Sequence, residues 1–146
     1  PEYNEDSLKI LEKKKDLRVL KVPFVTPRRK ELFDLKKVLG GILIQERDSH
    51  SLDLESFKTV TKRAPSEEEI LAMKLGWKIC KHIKSNAIVY ANATQIVGVG
   101  AGQMSRVDSA RFGIEKARLE IKGACMASDA LIPFRDAVDV AAEAGV

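Results

Sequence analysis

The sequence predicts a layered α/β fold, and three features carry that expectation. A long amphipathic stretch opens at Ser66 with the spacing of a helix capping box. A continuous apolar run, Ala87-Ile88-Val89-Tyr90-Ala91, has the length and content of an interior strand. After it come a turn, a returning strand, a helix, a short strand and a last helix, an order that packs helices on a sheet.

Residues 4–15 are expected to be helical, with Leu8, Ile10 and Leu11 on the apolar side and charge elsewhere. Leu17-Arg18-Val19-Leu20-Lys21-Val22 alternates with period two and predicts a half-buried strand, which Pro23 and Pro27 then break. Residues 28–37 fit either a short helix or an irregular charged connection. Gly40-Gly41 punctuates, Ile42-Leu43-Ile44 starts a second strand, Gln45 to Asp53 is expected to loop, and Phe57 to Thr61 is extended.

Ser66 is a strong N-cap, Glu69 stands at the reciprocal position, and Glu67, Glu68 and Glu69 suit the positive end of the helix dipole. Ile70, Met73, Trp77 and Cys80 form one stripe, and Leu71, Leu75, Ile79 and Ile83 another. Lys74, Lys78 and Lys81 share the wedge between them, so the pattern predicts a helix buried on most sides. Beyond the apolar strand, Asn92-Ala93-Thr94 turns the chain and Gln95 to Val99 returns beside it. Gly100-Ala101-Gly102 leads into a helix over 105–120, Ala124 to Ala127 forms a short strand, Pro133 lies in a loop, and Arg135 to Ala144 forms the last helix.

The 146 residues, 45% hydrophobic and 32% charged, can build a core without disulfides. No apolar run approaches the ~20 residues that span a bilayer, and no secretory signal pattern opens the chain, so no membrane partner is expected. The first residue is Pro1 rather than Met, which suggests an excised or processed segment. Cys80 and Cys125 have no CxxC spacing and are expected to be reduced thiols of a cytoplasmic protein. A net charge of +4 favours anionic partners, but the runs Lys13-Lys14-Lys15 and Arg28-Arg29-Lys30 are short, mixed with acids and without aromatics. They indicate a solvated surface rather than a nucleic-acid face. His50 and His82 suit capping or packing, and neither HxE nor PCxxC occurs, so zinc-dependent deaminase chemistry and a metal site are not expected.

Three places combine polar groups with strand ends, where α/β proteins bind ligands. In Lys84-Ser85-Asn86 the Asn86 amide can donate and accept at once, which suits a carboxamide or ribose hydroxyl; the alternative is a local helix-ending cap. In Gly98-Val99-Gly100-Ala101-Gly102-Gln103-Met104-Ser105-Arg106 the alternating glycines let a ligand approach the backbone, and Arg106 in the first helical turn can grip phosphate or carboxylate. A tight turn is the bland alternative, and the GxGxG spacing argues against a nicotinamide cofactor. In Ser128 to Asp136, apolar loop residues beside a carboxylate could clasp a flat heterocycle, or simply plug the core.

Read together, VTKRAPSEEEILAMKLGWKICKHIKSNAIVYA, GVGAGQMSRVDSARFGIEKA and MASDALIPFRDAVDVAAEAGV resemble the aminoimidazole carboxamide ribonucleotide (AICAR) formyltransferase domain of the AICAR transformylase/IMP cyclohydrolase family. PEYNEDSLKILEKKKDLRVL and GGILIQERD resemble the stretch that precedes them there, so the likeness covers nearly the whole chain. It implies cytidine-deaminase-like α/β lobes, each a central mixed sheet flanked by helices, with residues 1–62 as the tail of a first lobe and 63–146 as most of a second. It implies formyl transfer from 10-formyltetrahydrofolate, a co-substrate, to the 5-amino group of AICAR in IMP biosynthesis, at a homodimer interface and without a catalytic metal.

By the same resemblance Asn86 and Arg106 contact AICAR, and Val107, Leu131, Pro133 and Asp136 contact the folate, supported by Lys84, Ser85, Gly100, Gly102 and Gln103. Leu131 and Ile132 stand where the family has two aromatics, which implies weaker stacking on the pterin. The family's Lys-His pair has no match here, nor does the cyclohydrolase domain, so no catalytic residue is assigned and little turnover is expected from this chain alone. General acid–base help is worth ~10²–10⁴ in rate. The competing expectations are a non-catalytic nucleotide- or folate-binding module of the same fold and, on charge alone, a nucleic-acid-binding domain.

Overall fold

The computed structural model describes residues 2–23, 33–50, 52, 53, 55 and 57–146. Its chain forms two compact units, Pro1–His50 and Ser51–Val146. The basic run at 28–30, Pro27 and the first part of the 28–37 segment lie outside the described residues.

In the first unit, helix α1 spans Glu5–Leu11, and the Asn4 side chain accepts from the Ser7 N–H at 2.8 Å. The expected extension to residue 15 does not form. The helix buries no residue, and the three consecutive lysines that follow offer it no apolar face to dock. The strand expected over Leu17–Val22 is also absent; the segment is exposed, and alternation without a pairing partner among the described residues leaves a strand nothing to bond. Strands β1 (Phe33–Val38) and β2 (Gly41–Glu46) form an antiparallel hairpin in register Val38↔Gly41 through Phe33↔Glu46. Gly40 turns it at φ +85°, a conformation that side chains resist. The hairpin corrects the helix-or-connection expectation over 28–37: Phe33 and Leu35 alternate with charges, and it is Ile42 and Ile44 across the pair that give that alternation its meaning.

The second unit is a three-layer sandwich built on a three-stranded sheet, ordered β4 (Ile96–Gly100), β3 (Ile88–Ala91), β5 (Cys125–Ser128). This is the layered α/β arrangement expected, with every pairing among the described residues antiparallel where a mixed sheet was anticipated. β3 is central and fully buried, which explains its unbroken apolar sequence. Its side chains divide by parity. Ile88 and Tyr90 pack with Val97, Ala110, Ile121, Ala137 and Ala141 on one face; Ala87 and Val89 pack with Cys80 on the other. The Tyr90 hydroxyl donates to the Ala110 carbonyl at 3.1 Å, so the buried phenol is satisfied.

Helix α2 (Glu67–Cys80) covers the second face and has the expected capping box: Ser66 Oγ accepts from the Glu69 N–H, and the Glu69 carboxylate accepts from the Ser66 N–H. Its buried stripe is Ala72, Gly76 and Cys80. That corrects the expectation of a helix buried on most sides, because Leu71, Met73 and Trp77 are exposed. Small residues win the inner face since the helix lies close on the sheet: a Cβ at Gly76 would sit 3.1 Å from that of Ala127 and 3.7 Å from that of Ala91.

Helices α3 (Arg106–Glu115) and α4 (Asp136–Glu143) cover the first face. α3 is shorter than the predicted 105–120, ending where Lys116 caps it and the chain turns back toward Ile121 and Ala124 in the core. The contact between α3 and β4 is made almost backbone to backbone. A Cβ on Gly98 would lie 2.4 Å from the Gly113 carbonyl oxygen, and one on Gly100 would lie 1.8 Å from that of Ser109. Antiparallel pairing thus brings the start of β3, the end of β5, and the turn from β4 into α3 to one end of the sheet.

Candidate functional site

The sequence's first two candidate places meet at that end of the sheet. Asn86 stands just before β3, joined to Ser85 by a cis peptide bond. Its Nδ2 donates to the carbonyls of Gln103 (3.0 Å) and Met104 (3.1 Å), and its Oδ1 accepts from Arg106 Nη1 at 2.5 Å. The amide therefore uses both its donor and acceptor ends to tie the 84–86 turn to the start of α3. The backbone reinforces the tie: Asn86 N–H donates to Gln103 O (3.3 Å), Gly102 N–H to Lys84 O (2.8 Å), and Ser109 Oγ to Asn86 O (2.7 Å).

Arg106 is the hub. Besides Asn86, its Nε donates to Ser128 Oγ at 3.2 Å and its Nη2 to Asp129 Oδ1 at 3.1 Å. A guanidinium has five N–H donors, and these three bonds leave one on each terminal nitrogen. The Arg106 side chain retains 16% exposure and that of Asp129 13%, so the ion pair is largely withdrawn from water without being sealed. The arrangement leaves two N–H donors on a fixed, partly exposed cation, a chemistry suited to a phosphate or carboxylate.

Asp129 is the residue that sequence reasoning passed over. It lies in the third candidate loop, yet the weight there fell on Asp136. Asp129 follows the last residue of β5, and its Oδ1 also accepts from the Ala87 N–H at 3.2 Å. Burial alone pushes its carboxyl up, but the Ser85 hydroxyl, the Ala87 N–H and the Arg106 guanidinium together hold it below the usual aspartate range. The signal available in the sequence was a carboxylate at a strand end, level with an arginine that needed a counterion.

The remaining predicted residues have different surroundings. Ser85 helps hold the Asp129 carboxyl below its usual range, and Lys84 and Gln103 act through their backbone carbonyls, while the Gln103 amide turns to Ala101 O at 3.1 Å. Gly102 has φ +66°, as a sharp entry to α3 requires. Gly100 corrects the expectation of a ligand-approach glycine: the Ser109 carbonyl occupies the space a side chain would need, so Gly100 serves helix–strand packing. Val107 is half-buried against the core. In the third place, Ile132 packs on the core, Leu131 is 78% exposed, Pro133 is exposed, and Asp136 opens α4 with its carboxylate accepting the Ala137 N–H at 2.7 Å. Among the described residues no group of three or more His, Cys, Asp or Glu is placed to hold a metal, and no helix is long and apolar enough to cross a membrane.

A separate groove of about 590 Å³ lies between the 57–65 segment, the first turns of α2 and β5. Phe57, Val60, Ile70, Met73 and Met126 make it mainly apolar, and the Arg63–Glu69 pair stands at its wall. It shares no lining residue with the Asn86–Arg106–Asp129 cluster, whose convergent polar groups make it the better candidate site.

Comparison with known proteins places the chain in a family. A family model described as the AICARFT/IMPCHase bienzyme matches residues 1–116, a range that includes Asn86 and Arg106. Relatives named bifunctional purine biosynthesis protein PurH are 49% identical in Magnetococcus marinus, 47% in Sorangium cellulosum and 46% in Anoxybacillus flavithermus. These alignments cover 99–100% of this chain but only 28–29% of each relative, so the chain spans under a third of their length. The chain belongs to the AICARFT/IMPCHase bienzyme family.

Proposed function

We propose that the chain is part of the formyltransferase half of such a bienzyme, with Asn86 and Arg106 holding AICAR while 10-formyltetrahydrofolate donates the formyl group to its 5-amino nitrogen. One observation carries this reading: the Asn86 amide and the Arg106 guanidinium share a 2.5 Å hydrogen bond at the mouth of the sheet. A guanidinium held in this way meets an anionic group with its orientation already set, which lowers the ordering cost of binding. Residues 1–62 are then the tail of one deaminase-like lobe and 63–146 most of another. Val107, Leu131, Pro133 and Asp136 are assigned to the folate; exposure of Leu131 and Pro133 leaves them open to a flat ring. A homodimer in the cytoplasm is part of the same proposal.

No general acid or base is assigned within these residues, so the chain by itself is proposed to bind rather than turn over. A second reading, a nucleotide- or folate-binding module without catalysis, rests on the same Asn86–Arg106 pair. Isothermal calorimetry with AICAR and with a folate analogue, beside a formyl-transfer assay, tests both. Binding of AICAR that Arg106→Ala weakens about tenfold or more supports the site. An undiminished affinity in that variant refutes it, and turnover matching a full-length relative refutes the proposed dependence on residues outside the chain.

A further inference from the structure

Arg106 can present its two remaining N–H groups in one direction only if something fixes the plane of the guanidinium. Asn86 fixes one corner, and it is itself held by Gln103 and Met104. The other two corners are held by consecutive residues at the end of β5: Ser128, which takes the Nε–H, and Asp129, which takes Nη2. Ser128 is in turn fixed by donating to the Ala130 carbonyl at 2.9 Å. Asp129 is the only one of these partners that carries charge, and it is anchored to the strand beside it. Its Oδ1 accepts from Ala87 N–H, and its own N–H donates to Ala87 O at 3.3 Å.

We propose that Asp129 is a positioning residue for nucleotide binding, acting through Arg106 by fixing the guanidinium plane against the end of β5. The proposal rests on the assignment of Arg106 to AICAR and adds a residue to it. Asp129 does not meet the nucleotide: a second anion in contact with a phosphate would repel it, and its carboxylate already accepts from Ala87 and Arg106. Its part is to convert a flexible cation into an oriented one, so that two N–H groups face the same way before a ligand arrives.

The test is a double-mutant cycle on this chain, read by calorimetry with AICAR. Asp129→Asn preserves the shape and the acceptor for Ala87 while removing the charge that holds Nη2. We expect it to weaken AICAR about tenfold in the presence of Arg106 and to have no further effect in an Arg106→Ala background. Equal losses in both backgrounds, or no loss in either, would overturn the proposal, because a merely structural aspartate acts regardless of Arg106. A second measurement stands apart from nucleotide binding: the Arg106 Nη2–H resonance, which reports the bond to Asp129, in ¹⁵N spectra at low temperature. It should be resolved and slow to exchange in the unmodified chain and should collapse toward free arginine in Asp129→Asn. An unchanged resonance overturns the positioning role. Failure of the unmodified chain to bind AICAR, with the resonance still responding to Asp129→Asn, sinks the functional reading and leaves the positioning role standing.

Discussion

Arg106 and Asp129 show what a single residue can and cannot announce. Asn86 and Arg106 were legible because each sits in a distinctive block beside a predicted strand or helix end, and the structure joins them directly. Asp129 was not, since its significance comes from β5 pairing antiparallel with β3, which sets it beside Ala87, forty-two positions away in sequence. Its electrostatics give a prediction at this scale. The folded carboxyl titrates below the ordinary aspartate value of about 3.9. Its contribution to stability is therefore complete above that unfolded value and is lost as acid carries the pH down through the folded one. Thermal melts from neutral pH to about pH 3 should fall more steeply for the unmodified chain than for Asp129→Asn. Parallel curves would mean that this carboxylate contributes nothing through its charge.

Elements were read well where local chemistry decides them and poorly where a distant partner does. The capping box at Ser66, the buried run of β3 and the hairpin after it are all local signals, and all are present. Hydrophobic periodicity over α2 predicted apolar stripes but not which face would be chosen. The sheet selected the smallest residues, Ala72 and Gly76 with Cys80, because Ala91 and Ala127 allow a close approach there. Glycines in β4 were taken for ligand access when their neighbours were unknown; they accommodate α3 instead. Gly100→Ala tests that assignment. Its new methyl group would meet the Ser109 carbonyl oxygen at 1.8 Å, a backbone atom with no rotamer to escape into. We expect a loss of at least about 3 kcal/mol in chemical denaturation. A variant within about 1 kcal/mol of the unmodified chain would show that α3 can move away freely.

At the scale of the molecule, the two units differ in what holds them. No described residue of Pro1–His50 is buried, and both strands of its hairpin are exposed along their length. Ser51–Val146 has two buried clusters, one on each face of β3. Local stability follows burial. Brief trypsin digestion should cut first among the lysines and arginines of the first fifty residues and leave a resistant product that retains β3 and α3, as mass spectrometry would show. Early cleavage after Arg111 or Lys116 in place of those sites would contradict this ordering. The overall class was legible from element order alone, whereas the first unit misled because its alternating segment at 17–22 has no strand to pair with among the described residues.

Ser109 links these scales. It is wholly buried; its carbonyl fills the space beside Gly100, and its hydroxyl bonds the Asn86 carbonyl at 2.7 Å. One side chain thus rivets the helix to the turn that carries the amide, while the same residue's main chain seats that helix on its strand. A guest pulling on the turn would pull on the whole helix. The mouth of the sheet is accordingly part of the scaffold rather than a flap, and occupancy would register as quieter motion along α3 instead of a visible closing movement.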